Sequence, residues 1–264
     1  MASTARRHGA GIGFLATPRG PAFAPARDRN IYVLWIALIW AGMLAGFLPD
    51  LSRYFAEKPT PPPWILHIHG IVYFVWLALV TAQIALVEVR KPALHKQLGW
   101  WLVGLSVAIV VLGFVAAMVD MARSVSQSSY SPEFLGLEFQ ELAVFSILLW
   151  LAIEMRRDLA AHKRLMILLA VSIMDPGTAR MWSLFSVDRP AAPLGWWFSF
   201  FWGNVTLVIL MMAWDRWHHG RIHPALLGGG ALIAAGEASA VWLNFAPWWH
   251  VAAGRLVAAW GWTG

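Results

Sequence analysis

The stretch WILHIHGIVYF at 64–74 sets two imidazoles, His67 and His69, at the start of a long apolar run. Imidazole nitrogen ligates Zn, Cu, Fe and Mn, and it gains and loses a proton near neutral pH. Carboxylates interrupt equally apolar surroundings elsewhere: Asp120 in GFVAAMVDMAR, Glu138 and Glu141 in LEFQELAVF, and Asp175 in SIMDPGTARMW. Arg180 follows Asp175 by five residues, and Asn204 adds an amide in FWGNVTLV. Histidine with carboxylate is a ligand set for a transition metal, and equally a set of proton carriers. Helix geometry constrains both uses. Residues i and i+2 point about 200° apart, so His67 and His69 cannot both ligate one ion on a regular helix. Glu138 and Glu141, three apart, share a face.

The elements that must position these groups follow from composition. A chain with 59% hydrophobic and only 13% charged residues, and a mean hydropathy of +0.60, is too apolar for a soluble globule. The reading is an all-α, polytopic membrane helix bundle of about seven transmembrane helices, with the lipid bilayer as its first partner. About 20 apolar residues cross the hydrocarbon core. Seven segments meet that length, near 31–49, 64–88, 99–121, 135–155, 165–187, 195–214 and 225–245. The last is the weakest, because LLGGGALIAAGEASAVWLNF carries a glycine triplet and Glu237, so a bundle of six spans with a re-entrant seventh stays open. Residues 1–30, rich in Ala, Gly, Pro and Arg, read as a disordered cytoplasmic tail, and 246–264 as an interfacial C-terminal segment.

The net charge of +6 is explained by orientation and anionic lipid rather than by nucleic acid, because the cations flank apolar runs. Fourteen Lys and Arg, from the tail and from 90–96, 156–164 and 216–221, fall on one side, against Arg53, Lys58, Arg123, Arg189 and Arg255 on the other. The N-terminus is therefore expected inside. His67, His69, Asp120, Glu138, Glu141, Arg180 and Asn204 then gather in the outer half of the spans, with Asp175 near the midplane. Asp suits a helix N-cap and Pro the first helical position, so the fifth span is expected to break at Asp175-Pro176-Gly177. On the inner side, ALHKQLGW at 93–100 and AAHKRLMI at 160–167 form a weak internal repeat. It sets His95 and His162 at one depth, where they could hold a haem edge or a lipid phosphate. WHHGRIHP at 217–224 adds three more histidines.

The run LHIHGIVYFVWLALVTAQ, LHKQLGW, AHKRLMILLAVSIMDPGTAR and GRIHPALLGG resembles an uncharacterised family of bacterial inner-membrane proteins of about seven helices, over roughly residues 45–230. The shared motifs are H-x-H-G, L-H-[KR]-x-L-G and H-K-R-L-M. The resemblance implies a bacterial cytoplasmic membrane and a site at His67, His69, His95, His162 and Asp175, but no reaction. The core is also distantly similar to di-haem membrane cytochromes, although His67 and His69 lack the facing histidines those proteins use.

The leading functional reading is a periplasm-facing site of His67, His69, Glu138, Glu141 and Asp175 binding a transition metal or haem in a redox or metal-handling role. Asp120, Arg180 and Asn204 would balance charge around it. A proton- or cation-coupled transporter of a small solute and a non-catalytic scaffold are the alternatives. Thiol chemistry is excluded by the absence of cysteine, and there is neither a G-x-S-x-G elbow nor a Gly-rich phosphate loop. A reporter fused after residue 190 is expected to be active only on the periplasmic side. Cytoplasmic activity there would invert every depth assigned above.

Overall fold

The computed structural model describes residues 12–18, 23, 28, 30–57, 61–129, 131–184 and 192–261. Among these the chain is an all-α bundle. Its helices are α1 (Ile31–Glu57), α2 (Trp64–Glu88), α3 (Pro92–Ser126), α4 (Leu135–Glu154), α5 (Leu159–Val171), α6 (Asp175–Leu184), α7 (Pro193–His219), α8 (Pro224–Phe245) and α9 (Pro247–Trp260). Six of them, α1 to α4, α7 and α8, are long and apolar enough to cross a membrane. Helices α5 and α6 together occupy the stretch expected as the fifth span, interrupted at Ser172–Met174. The shortfall suspected in 225–245 is therefore found elsewhere: α8 is continuous, and the fifth span is the one in two pieces. Most of the 186–194 loop lies outside the described residues.

Proline and glycine set the boundaries. Pro92, Pro193, Pro224 and Pro247 open α3, α7, α8 and α9, where a missing N–H costs nothing. Pro49 lies inside α1, which runs on to Glu57 rather than stopping near residue 49. Beyond the far ends of the spans, α9 packs on α3 and on the Pro132–Phe134 turn, where the Trp249 indole donates to the Glu133 carbonyl at 2.9 Å. We call this the far end, and the end bearing the Lys- and Arg-rich loops the basic end.

The tail reading needs correction where its residues are described. Leu15, Phe23 and Asp28 are buried at 2, 3 and 3% exposure. Leu15 packs on Gly228 of α8, and Thr17 bonds to Asp158. Composition showed few apolar residues here, but those few find specific partners in the bundle.

Helix α6 is clasped between α1 and α7. A Cβ on Gly46 would lie 1.9 Å from the Gly177 carbonyl oxygen, and one on Gly203 would lie 2.4 Å from the Thr178 methyl. Small residues let these backbones approach as close as transmembrane helices can. Replacing Gly46 by Ala is expected to lower the thermal midpoint of the purified protein, at a cost of roughly 1–3 kcal/mol for overpacking. Gly70→Ala, with nothing within 4 Å, is the control and should leave the midpoint level or higher. Equal midpoints for the two variants would show that α1 and α6 are not in backbone contact.

Candidate functional site

The break between α5 and α6 supplies the site's framework. Met174 N–H donates to Val171 and Ser172 Oγ to Leu169, which closes α5. The amides of Gly177 and Thr178 both donate to the Met174 carbonyl, which opens α6. Between the two helices the Ile173 carbonyl accepts from the Tyr73 hydroxyl of α2 at 2.8 Å. Asp175 is thus released from capping: neither carboxylate oxygen has a hydrogen-bond partner, although the side chain is 2% exposed. The expected break is present, but the expected N-cap bond is not.

Around Asp175 the bundle assembles polar groups from three more helices. Glu141 of α4 faces it closely enough for one shared proton to make a hydrogen bond between the two carboxyls. Asn204 of α7 lies against both Asp175 and Glu237 of α8. Oε1 of Glu141, Oδ1 of Asn204 and Oε1 of Glu237 have no partner, while the other Glu237 oxygen accepts from the Trp197 indole at 3.1 Å. Glu141, Asn204 and Glu237 are 7, 1 and 2% exposed. Counted at ~1.5 Å per residue from the far-end helix termini, Glu141, Glu237, Tyr73 and Asn204 lie roughly 9 to 17 Å deep. Toward the far end the charges become less enclosed by protein: Glu138 is half-buried and Asp120 exposed. Arg180 acts on both Glu138 and Glu141, but its guanidinium is held by Asp50 at 3.0 Å and lies 4.4 Å over the Phe47 ring.

The histidines do not join this cluster as expected. His67 is exposed, and His69 turns toward Gly113 of α3, with Cε1 3.7 Å from where a Cβ would stand there. Their divergence is the 200° separation that i,i+2 spacing imposes. Among the described residues no group of three or more His, Asp and Glu side chains is placed to hold a metal ion. A histidine converging with Glu138 and Glu141 on one metal point is therefore not found. His95 and His162 do come together at the basic end, near enough for their charges to interact. There the His162 Nδ1–H donates to the Ala152 carbonyl at 2.8 Å.

A second buried polar cluster at the basic end was not read from the sequence. Arg164 of α5, 1% exposed, forks onto Asp215 of α7, with Nε to Oδ2 at 2.9 Å and Nη2 to Oδ1 at 2.6 Å, and its Nη1 reaches Asp28 at 3.3 Å. Lys163 also pairs with Asp28, and the His219 ring donates to Asp28 at 2.6 Å. Arg164 lies 5.0 Å over the Phe23 ring. His223 continues the network. Its Nδ1 accepts the Ala225 N–H at 3.0 Å and so caps α8, which leaves Nε2–H to donate to the Thr17 hydroxyl at 3.0 Å. That hydroxyl donates in turn to Asp158, which caps α5. Burial opposes ionisation of Asp28, but Arg164, Lys163 and His219 outweigh it and hold the carboxyl below its ordinary range. Asp158 is likewise held down, because the Thr17 hydroxyl and amide and the Ala161 amide outweigh burial. Burial and then Arg164 push His223 down to about 4.

Comparison with known proteins gives kinship without chemistry. An uncharacterized protein of Mycobacterium bovis and two of Mycobacterium tuberculosis strains are each 36% identical to the chain over 98 residues, covering 36% of this chain and 77% of the relative. The chain belongs to their family. No family model and no solved structure matches it. The family therefore brings bacterial relatives but no activity, and function rests on the geometry.

Sequence reasoning passed over Arg164, Asp28, Asp158 and Asp215, using Arg164 only for the charge count. The available signal was a carboxylate amid many cations, as in RRDLAAHKR and WDRWHH. A depressed His223 is neutral in the fold, so its contribution is complete above the unfolded value near 6.5 and is lost as pH falls toward 4. Depressed Asp28 and Asp158 contribute fully above their unfolded values and lose that contribution only as pH falls through their lower folded ones. The thermal midpoint is expected to drop in two stages on acidification. His223→Asn, which keeps a capping oxygen, should flatten the upper stage alone. A single stage in the wild type, unaltered in the variant, would contradict the assignment.

Proposed function

We propose that this chain is a multi-pass protein of the bacterial cytoplasmic membrane whose Glu141–Asp175 pair binds and releases a proton, coupled to movement of a small solute. One observation carries the reading. Two carboxylates from different helices face each other at a helix break inside the bundle, their free oxygens unpartnered, with Asn204 and Glu237 beside them. In a low-dielectric interior two carboxylates at close range cannot both hold charge, and one shared proton satisfies both. Broken helices lining polar groups at mid-depth are how many carriers build such sites. A metal point shared by the outer histidines and glutamates loses support because His67 and His69 point elsewhere.

Glu141 and Asp175 would hold the proton, and Asn204 would exchange its amide contacts between Asp175 and Glu237 as charge moves. Tyr73 would fix the Ile173 carbonyl while α6 shifts within its glycine contacts. Solute coupling requires that the deprotonated pair be unstable in the closed bundle, so that proton and solute cross together.

In proteoliposomes under an imposed pH gradient, a mixture of amino acids, sugars and small amines serves as the probe. Wild-type protein is expected to speed gradient decay when the mixture is added, and Asp175→Asn and Glu141→Gln to abolish that increase. Infrared titration of the carboxyl C=O stretch should show one buried protonated group in the wild type, lost or displaced in both variants. Unchanged carboxyl titration in Asp175→Asn would refute the reading.

A further inference from the structure

We infer that protons reach the Glu141–Asp175 pair from the far end only, carried by Asp120 and Glu138, an inference that rests on the proton-binding reading above. The four carboxylates come from α3, α4 and the α5–α6 break, and they grade from the protein surface to its interior. Asp120 is exposed, Glu138 half-buried, and Glu141 and Asp175 are 7 and 2% exposed. Each acts electrostatically on the next: Asp120 on Glu138, Glu138 on Glu141, and Glu141 on Asp175. The inner terminus is marked independently by Asn204, a neutral side chain 1% exposed with Oδ1 unpartnered against Asp175 and Glu237. The groups facing the pair are Tyr73 from α2, Glu138 from α4, Arg180 from α6, Asn204 from α7 and Glu237 from α8.

Among the described residues no such series of carboxylates continues toward the basic end. A Cβ on Gly229 of α8 would lie 2.5 Å from Leu168 and 3.4 Å from both Leu148 and Leu165, so these side chains close the bundle there. Leu148, Leu165 and Leu168 are fully buried, and beneath them lies the Arg164 network. With Arg164 already paired to Asp215 and Asp28, the apolar layer offers no proton carrier on that route.

Each step is a single proton transfer. The O–H bond on Asp120 breaks as one forms on Glu138, the same exchange passes the proton to Glu141, and Asp120 reprotonates from water. Glu138 is the carrier whose removal leaves a gap, because Asp120 is exposed and water can replace it. The glutamate's flexible stem suits delivery across the two groups' separation, while the pair itself stays packed.

Purified protein in lipid nanodiscs, followed by time-resolved infrared absorption of the carboxyl C=O stretch after an acid jump, tests this. Glu138→Gln is expected to slow proton arrival roughly tenfold or more while keeping the final amplitude, which shows that the pair is intact. Added formate, a small diffusible acid, should restore the rate. Asp120→Asn should slow it less. Wild-type kinetics in Glu138→Gln, or slowing that formate does not relieve, would overturn the far-end route even if Asp175→Asn abolishes the signal as the proton-binding reading requires. Full amplitude in Asp175→Asn would overturn both.

Discussion

A helix that stops inside a bilayer leaves backbone groups with no water to bond, and everything distinctive about this bundle follows from how that debt is settled. The interruption at Ser172–Met174 uses almost only local means. Ser172 bonds back to Leu169, Met174 serves both outgoing amides, and Tyr73 takes the Ile173 carbonyl. Because backbone satisfies backbone, the Asp175 side chain is left unemployed, and an unemployed carboxylate in the interior gathers polar company. The glycine contact with α1 is the second half of the same solution. A ten-residue helix has too little surface of its own to stay in place, and backbone contact at Gly46 supplies what length does not.

The two polar clusters differ in kind. At the basic end, charges are matched: Arg164 and Lys163 oppose Asp28 and Asp215, and nearly every donor finds an acceptor. Such a network contributes little net stability but is costly to break, since removing one member strands another in the interior. In the carboxylate cluster, acidic groups outnumber cations and several oxygens lack donors. A matched network fixes a structure, whereas a mismatched one has a reason to change state. The leucine layer between them keeps the two regimes from mixing.

Much of the fold could be read from hydropathy, because a requirement of some twenty apolar residues is a strong, local signal. The glycines that make 225–245 the weakest apolar run are packing sites: Gly229 admits Leu168 where a larger residue would not fit. Asp175, Glu141 and Asn204 were legible as costly polar residues at depth. The histidines misled because a residue type suited to metal says nothing about which way a helix turns it, and His67 and His69 turn apart. The Arg164 network was invisible for another reason. Its members are scattered from Thr17 to His223, and each looks like an ordinary topology-setting residue until the fold brings them together.

The arrangement at Asp28 bears on biosynthesis. Its partners stand 136 and 191 positions later in the chain, at Arg164 and His219. During synthesis this early segment meets Lys163 and Arg164 only when α5 has emerged, and His219 only at the end of α7. Arg164 precedes its partner Asp215 by 51 positions, so Asp28 is the acidic partner that is made before it. The set of contacts around Asp28 is thus complete only once α7 has been made, and a chain stalled before α7 would lack the His219 half of it.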